Sequence, residues 1–125
     1  MQQKVYKILH SWLFWYISIG VILIIITGWN GPKPLDPLDV AWRIVCKNES
    51  TNNPRAYNKK ENAIGIAQIR PIMIRDVNRI LGSQVYVHQD AYDPVKARQM
   101  FMIFQKYYHP NGTPEIWIKS WRSGP

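Results

Sequence analysis

The chain has 125 residues and a mass of 14.7 kDa, room for one small domain plus an appendage, which excludes a multidomain enzyme. Sixteen Lys and Arg against eight Asp and Glu leave a net charge of +8 and a pI near 9.8. The expected partner is therefore anionic: a nucleic acid, an acidic membrane surface or an anionic glycopeptide polymer. A single cysteine, Cys46, excludes an intrachain disulfide and a cysteine-rich zinc site, and among Ile44, Val45 and Trp42 it reads as a buried free thiol.

From Ile8 to Pro32 no Asp, Glu, Lys or Arg occurs, and the stretch from Trp12 to Trp29 is almost wholly apolar. As a helix that stretch would rise about 27 Å, close to the hydrocarbon thickness of a bilayer. Trp12, Trp15 and Tyr16 cluster at one end and Trp29 marks the other, as rings that favour the interface do. Lys4 and Lys7 precede the span, which predicts a cytoplasmic N-terminus and an exported remainder. A signal peptide cleaved near Thr27-Gly28 is the alternative, but the apolar run is long for one, and a retained anchor is preferred.

Asn30-Gly31-Pro32-Lys33-Pro34 denies a continued helix and reads as a linker. Asp36 can cap a helix with Pro37 at its first position, and Leu38, Ala41, Trp42, Val45 and Glu49 then share one face. The polar segment from Ser50 to Asn62 has turn chemistry and predicts a loop or a short irregular strand region. Pro71 to Leu81 predicts a second helix, with Ile72, Ile74, Val77, Ile80 and Leu81 as its apolar positions and Gly82 as its stop. Asp93-Pro94 opens a third, to about Tyr108, with Val95, Met100, Phe101, Ile103, Phe104 and Tyr107 available to bury. Thr113-Pro114-Glu115 starts a last short helix through Ile118 or Trp121.

Two blocks carry chemistry: Glu49-Ser50-Thr51-Asn52-Asn53-Pro54-Arg55-Ala56-Tyr57-Asn58, and Ala63-Ile64-Gly65-Ile66-Ala67-Gln68-Ile69 after a polar gap. They set one carboxylate at the end of an apolar helix, then a turn-forming loop, then a small-residue strip with one amide side chain. Cleavage of a glycosidic bond needs a protonated acid beside the leaving oxygen, a task Glu49 is positioned to take. A plain surface glutamate is the bland alternative, although the negative end of a helix disfavours it. Gly65 and Ala67 suggest a close backbone approach to a ligand, with a tight structural turn as the alternative for the glycine. Gln68 can donate to and accept from an N-acetyl or peptide group. His10, His88 and His109 are scattered and form no metal pattern, so no metal and no cofactor is expected.

The blocks resemble the goose-type lysozyme and lytic transglycosylase superfamily, whose sequences look like E-S-x-x-N-P-x-A-x-N followed by A-x-G-x-x-Q-I. The resemblance is specific from Asp36 to about Gly82. It implies a mainly α, lysozyme-like domain, Glu49 as catalytic acid, and Ser50, Asn58, Gly65, Gln68, Ile69 and Trp121 on the substrate side. Trp117 to Pro125 looks like a phage and Bacteroidetes form of the family's last block, A-R-x-W-N-G-G-P, with Ile118 for alanine, Arg122 for asparagine and Ser123 for glycine. Trp121 would take the aromatic position against the catalytic glutamate. The chain stops where relatives continue into further helices, which reads as a shortened or degenerate copy or a fragment.

Hydrolysis usually needs a second carboxylate. Of Glu61, Asp76, Asp90 and Asp93, Asp93 reads as a helix cap and Asp76 as a solvated ion pair beside Arg75 and Arg79, and none is a convincing partner. That fits a lytic transglycosylase, a lyase in which the substrate's own C6 hydroxyl attacks and one glutamate serves as acid and then base. The expected organisation is a cytoplasmic N-terminus (1–7), a transmembrane signal-anchor (8–29), a linker (30–35) and a transglycosylase domain (36–125). The expected protein is a monomer, single-pass in the inner membrane with its domain on the periplasmic side. Its partner is peptidoglycan glycan strands and not nucleic acid. A lysozyme-type muramidase and a degenerate, non-catalytic wall-binding protein are the alternatives.

Overall fold

Proline at the start of a helix recurs at every α-helix of the described residues. The cause is local: a proline there loses no helical hydrogen bond and arrives with its φ already set. Asp36 accepts from the Leu38 amide at 2.9 Å and Asp93 from the Val95 amide at 2.8 Å, the capping expected of both. The computed structural model describes residues 31–125, so the expected N-terminus 1–7 and the membrane helix 8–29 lie outside the described residues. Among the described residues no helix is long and apolar enough to cross a membrane.

Leu35–Pro125 is one compact, mainly helical unit. Helix α1 spans Pro37–Ser50 and is followed by a minimal antiparallel hairpin, β1 (Tyr57–Asn58) and β2 (Ala63–Ile64). Tyr57 pairs with Ile64 and Asn58 with Ala63. Helix α2 runs Pro71–Leu81, a 3₁₀ turn His88–Tyr92, α3 Pro94–Tyr108 and α4 Pro114–Ser123. The last helix thus extends beyond both ends expected from sequence, Ile118 and Trp121.

The core lies where α1, α3 and α4 meet. Phe101 of α3 is fully buried, with Trp42 at 5.4 Å on one side and Trp121 at 5.1 Å, edge-on, on the other. Phe104 meets Trp121 at 5.6 Å with the rings perpendicular. Burying a phenylalanine contributes about 1.5–3 kcal/mol, and each such ring pair adds roughly 0.5–1.5 kcal/mol. Gln105, also fully buried, donates to the Trp117 carbonyl at 3.0 Å and accepts from Ser120 Oγ at 2.9 Å, so α3 and α4 share a satisfied polar joint. Asn78 does the same for the segment after α2, donating to Tyr86 O and accepting from the Val85 and Tyr86 amides. Cys46 is buried as expected, and burial pushes its thiol up to about 12.

Four positions expected inside are outside: Ile72, Leu81, Val95 and Tyr107 are all exposed. Met73, Asn78, Ala97 and Gln105 face inward instead. The apolar spacing of a helix sets a stripe, but a partner helix covers only part of it. Tyr107 has another use, lying 5.5 Å below the Arg79 guanidinium.

Candidate active site

Glu49 is the penultimate residue of α1. The helix ends in a left-handed turn at Thr51, whose amide donates to Lys47 O while that of Asn52 donates to Cys46 O, both at 3.0 Å. This closure turns the chain away directly after the carboxylate. The Glu49 side chain is 24% exposed and opens onto a cleft of about 280 Å³, whose walls include Asn58, Gln68, Met73 and Trp121. Oε1 stands 3.7 Å from Nε of Arg122, a side chain 74% exposed.

The loop opposite is held by polar contacts. Ser50 donates to Ile66 O at 2.7 Å and accepts from the Asn53 amide at 3.0 Å, fastening the loop to the end of α1. Asn58 Oδ1 accepts from the Lys60 amide at 3.1 Å, which shapes the hairpin turn. Gln68 sits at φ +52°, an unusual conformation for a side-chain-bearing residue, and its Nε2 donates to Gly65 O at 3.0 Å. That bond fixes the amide at the cleft wall and leaves its Oε1 and second N–H for a ligand. Across the cleft Trp121 donates from Nε1 to Ala67 O at 2.9 Å, so the last helix is tied to the loop.

Of the residues expected on the substrate side, Asn58, Gln68 and Trp121 line this cleft together with Glu49. Three do not. Ser50 spends its hydroxyl on the loop. The Ile69 side chain is in the core, its backbone paired with Ile64 and its carbonyl 2.9 Å from the His88 ring nitrogen. Gly65, at φ +79°, packs against the 3₁₀ turn: a Cβ there would lie 1.8 Å from the Ala91 carbonyl oxygen. The close backbone approach is real, and its partner is the protein itself.

Sequence reasoning passes over Arg70 and Arg122 as members of the site and sets Glu61 aside, and all three line the cleft. The sequence signal for Arg122 is its replacement of the family asparagine. Glu61 stands among the acids weighed as a second carboxylate, and the others are engaged elsewhere. Asp76 pairs with Arg79 at 2.7 Å and accepts from the Tyr108 hydroxyl at 2.8 Å, which pushes that phenol up. Asp90 binds Lys96 at 2.6 Å, a contact that holds its carboxyl below the usual range. Among the described residues no group of three or more His, Cys, Asp or Glu could hold a metal ion.

A carboxyl group, an amide and an indole wall thus converge on one open cleft in a basic protein, an arrangement fitted to proton transfer on a polar, carbohydrate-sized ligand. No curated protein and no solved structure matches the chain. The family model for the transglycosylase SLT domain matches residues 40–109, more than half of the chain and a stretch that holds both Glu49 and Gln68. The chain belongs to the transglycosylase SLT domain family.

Proposed function

We propose that the protein is a lytic transglycosylase that cleaves the MurNAc-GlcNAc bond of peptidoglycan with Glu49 as its one acid and base. The observation that carries this reading is the place of Glu49: largely withdrawn from solvent, at a helix end, on the wall of a cleft shared with Gln68 and Trp121. The Glu49 carboxyl protonates the glycosidic oxygen as the bond to the muramyl C1 breaks. The carboxylate then takes the proton of the C6 hydroxyl as that oxygen closes on C1, which gives a 1,6-anhydromuramyl end. A hydroxyl already held beside the reacting carbon has a large effective molarity, up to ~10⁵ M or more in well-oriented cases, and so competes with water. Gln68 holds an N-acetyl or peptide group of the strand.

Glu61 favours a second reading. It lines the same cleft and could serve as base for water, which would make the protein a muramidase. Mass spectrometry of the muropeptides released from purified cell wall separates the two, since the anhydro product lacks one water. Predominantly reducing ends, lost on Glu61→Gln, would establish hydrolysis. Wall that is bound but never cut would leave a binding protein.

The charge-free span from Ile8 to Pro32, with Lys4 and Lys7 before it, supports retention in the inner membrane with the domain on the periplasmic side. A periplasm-reporting enzyme fused after Lys33 should be active and membrane-bound at full mass. A soluble, shortened product would establish cleavage instead.

A further inference from the structure

The cleft does not end at Glu49. On the other side of that carboxylate a groove of about 470 Å³ runs between α1 and α4, lined by Val45, Asn48, Ile118 and Lys119 among others. Glu49 and Arg122 belong to both spaces. The contact between them is long for an ion pair, 3.7 Å, and the Arg122 side chain is 74% exposed. Such a contact contributes little in water, and the guanidinium keeps most of its donors for another acceptor. A bidentate carboxylate is the acceptor its planar fork fits best. Lys119, one turn before Arg122 on α4, adds a second positive charge to the same groove. Glu115 also lines it and stays ionised, its own backbone amide and the Thr113 hydroxyl holding its carboxyl below the usual range, so it offsets Lys119 and leaves the Arg122 fork as the group that can recognise a carboxylate.

We propose that Arg122 recognises a carboxylate of the substrate in the groove between α1 and α4, and releases Glu49 in doing so. This rests on the reading of the substrate as peptidoglycan, whose stem peptides carry carboxylates. Arg122 has one guanidinium and two claimants. In the free protein it leans on Glu49. When a strand enters with its stem peptide in the groove, the peptide carboxylate takes the guanidinium, and the Glu49 oxygen is left to meet the glycosidic oxygen. Arg122 is on this account a specificity residue: it favours peptide-bearing strands over neutral sugar polymers.

The test uses the full chain in detergent and two forms of insoluble cell wall, native and with its carboxylates converted to amides by carbodiimide and ammonia. Co-sedimentation gives binding, and muropeptide release gives turnover. Wild type should bind the amide-capped wall roughly ten-fold more weakly than the native wall, the scale of one charge-assisted contact. With the general attraction of a +8 chain for an anionic wall screened by high salt, Arg122→Gln should bind both forms alike, at the weaker level, and Arg122→Lys should recover part of the difference. Arg75→Gln removes the same charge from an exposed position on α2 and should keep the full contrast, which separates recognition from net charge. An Arg122→Gln protein that still discriminates, or a wild type that cuts both walls equally, overturns the proposal alone. A wild type that neither binds nor cuts either wall overturns the peptidoglycan reading and this proposal with it.

Discussion

The meeting of α3 with α4 and the loop across the cleft from Glu49 are built from opposite materials. The first is a stack of rings around Phe101 with one closed polar joint at Gln105 and Ser120. The second is a chain of turns held by the Ser50 hydroxyl, the Gln68 amide and the backbone of Gly65. Interior stability comes from apolar area and shape, whereas the cleft wall is held by hydrogen bonds whose net worth is only about 1 kcal/mol each. Stability and chemistry therefore separate by region, and Trp121 belongs to both, closing the ring stack and lining the cleft.

Trp121→Ala is the change that breaks the separation most. It should cost about 3–5 kcal/mol and abolish turnover as well, read as a fall in melting temperature and loss of muropeptide release. Trp121→Phe keeps most of the packing and loses the bond to Ala67 O, so it should cost less stability than alanine while still disturbing the cleft. Glu49→Gln is the opposite case: turnover should fall by about 10²–10⁴-fold with stability within about 0.5 kcal/mol of wild type, because the amide keeps the shape but has no acidic proton to give. Retained turnover would end the assignment of Glu49.

Gly65→Ala sharpens the comparison from within the loop. Its Cβ meets a backbone carbonyl at 1.8 Å in a left-handed conformation, so the loop or the 3₁₀ turn must move. A loss of about 3 kcal/mol is expected, visible in denaturant unfolding, and a near-neutral result would show that the two segments part easily.

The interior has a pH signature of its own. Cys46 is raised from 9.0 to about 12 in the folded protein, so its contribution is complete below pH 9 and is lost as the pH rises through about 12. Stability should decline over that alkaline window more steeply than in Cys46→Ala, and iodoacetamide at pH 8 should leave the native thiol unmodified. The smallest effect is expected of Asp39→Asn, which removes the exposed ion pair of Asp39 with Arg98 joining α1 to α3: about 0.2–1 kcal/mol, shrinking with added salt.

Local chemistry made the helix starts legible, because cap and proline act on their own neighbours at Asp36-Pro37 and Asp93-Pro94. That Glu49 and Gln68 share a cleft was legible for a related reason: they lie in short blocks whose spacing resembles a known family. What sequence could not supply is what meets across the fold. Gly65 suggested a ligand or a tight turn, and its close neighbour in the fold is Ala91, brought in by the 3₁₀ turn. Ile72 and Val95 have the spacing of core residues, yet among the described residues no element covers them. Glu61 and Arg122 enter the cleft only once the hairpin and α4 close on the end of α1.

The bond from Trp121 to Ala67 spans 54 positions of the chain, and this orders events during synthesis. At roughly 5 to 20 residues per second, Glu49, Asn58 and Gln68 are all made seconds before the indole that completes their wall. A nascent chain thus carries Glu49 and Gln68 before the wall that faces them. The cleft is closed only when α4 is made, as a late and single event.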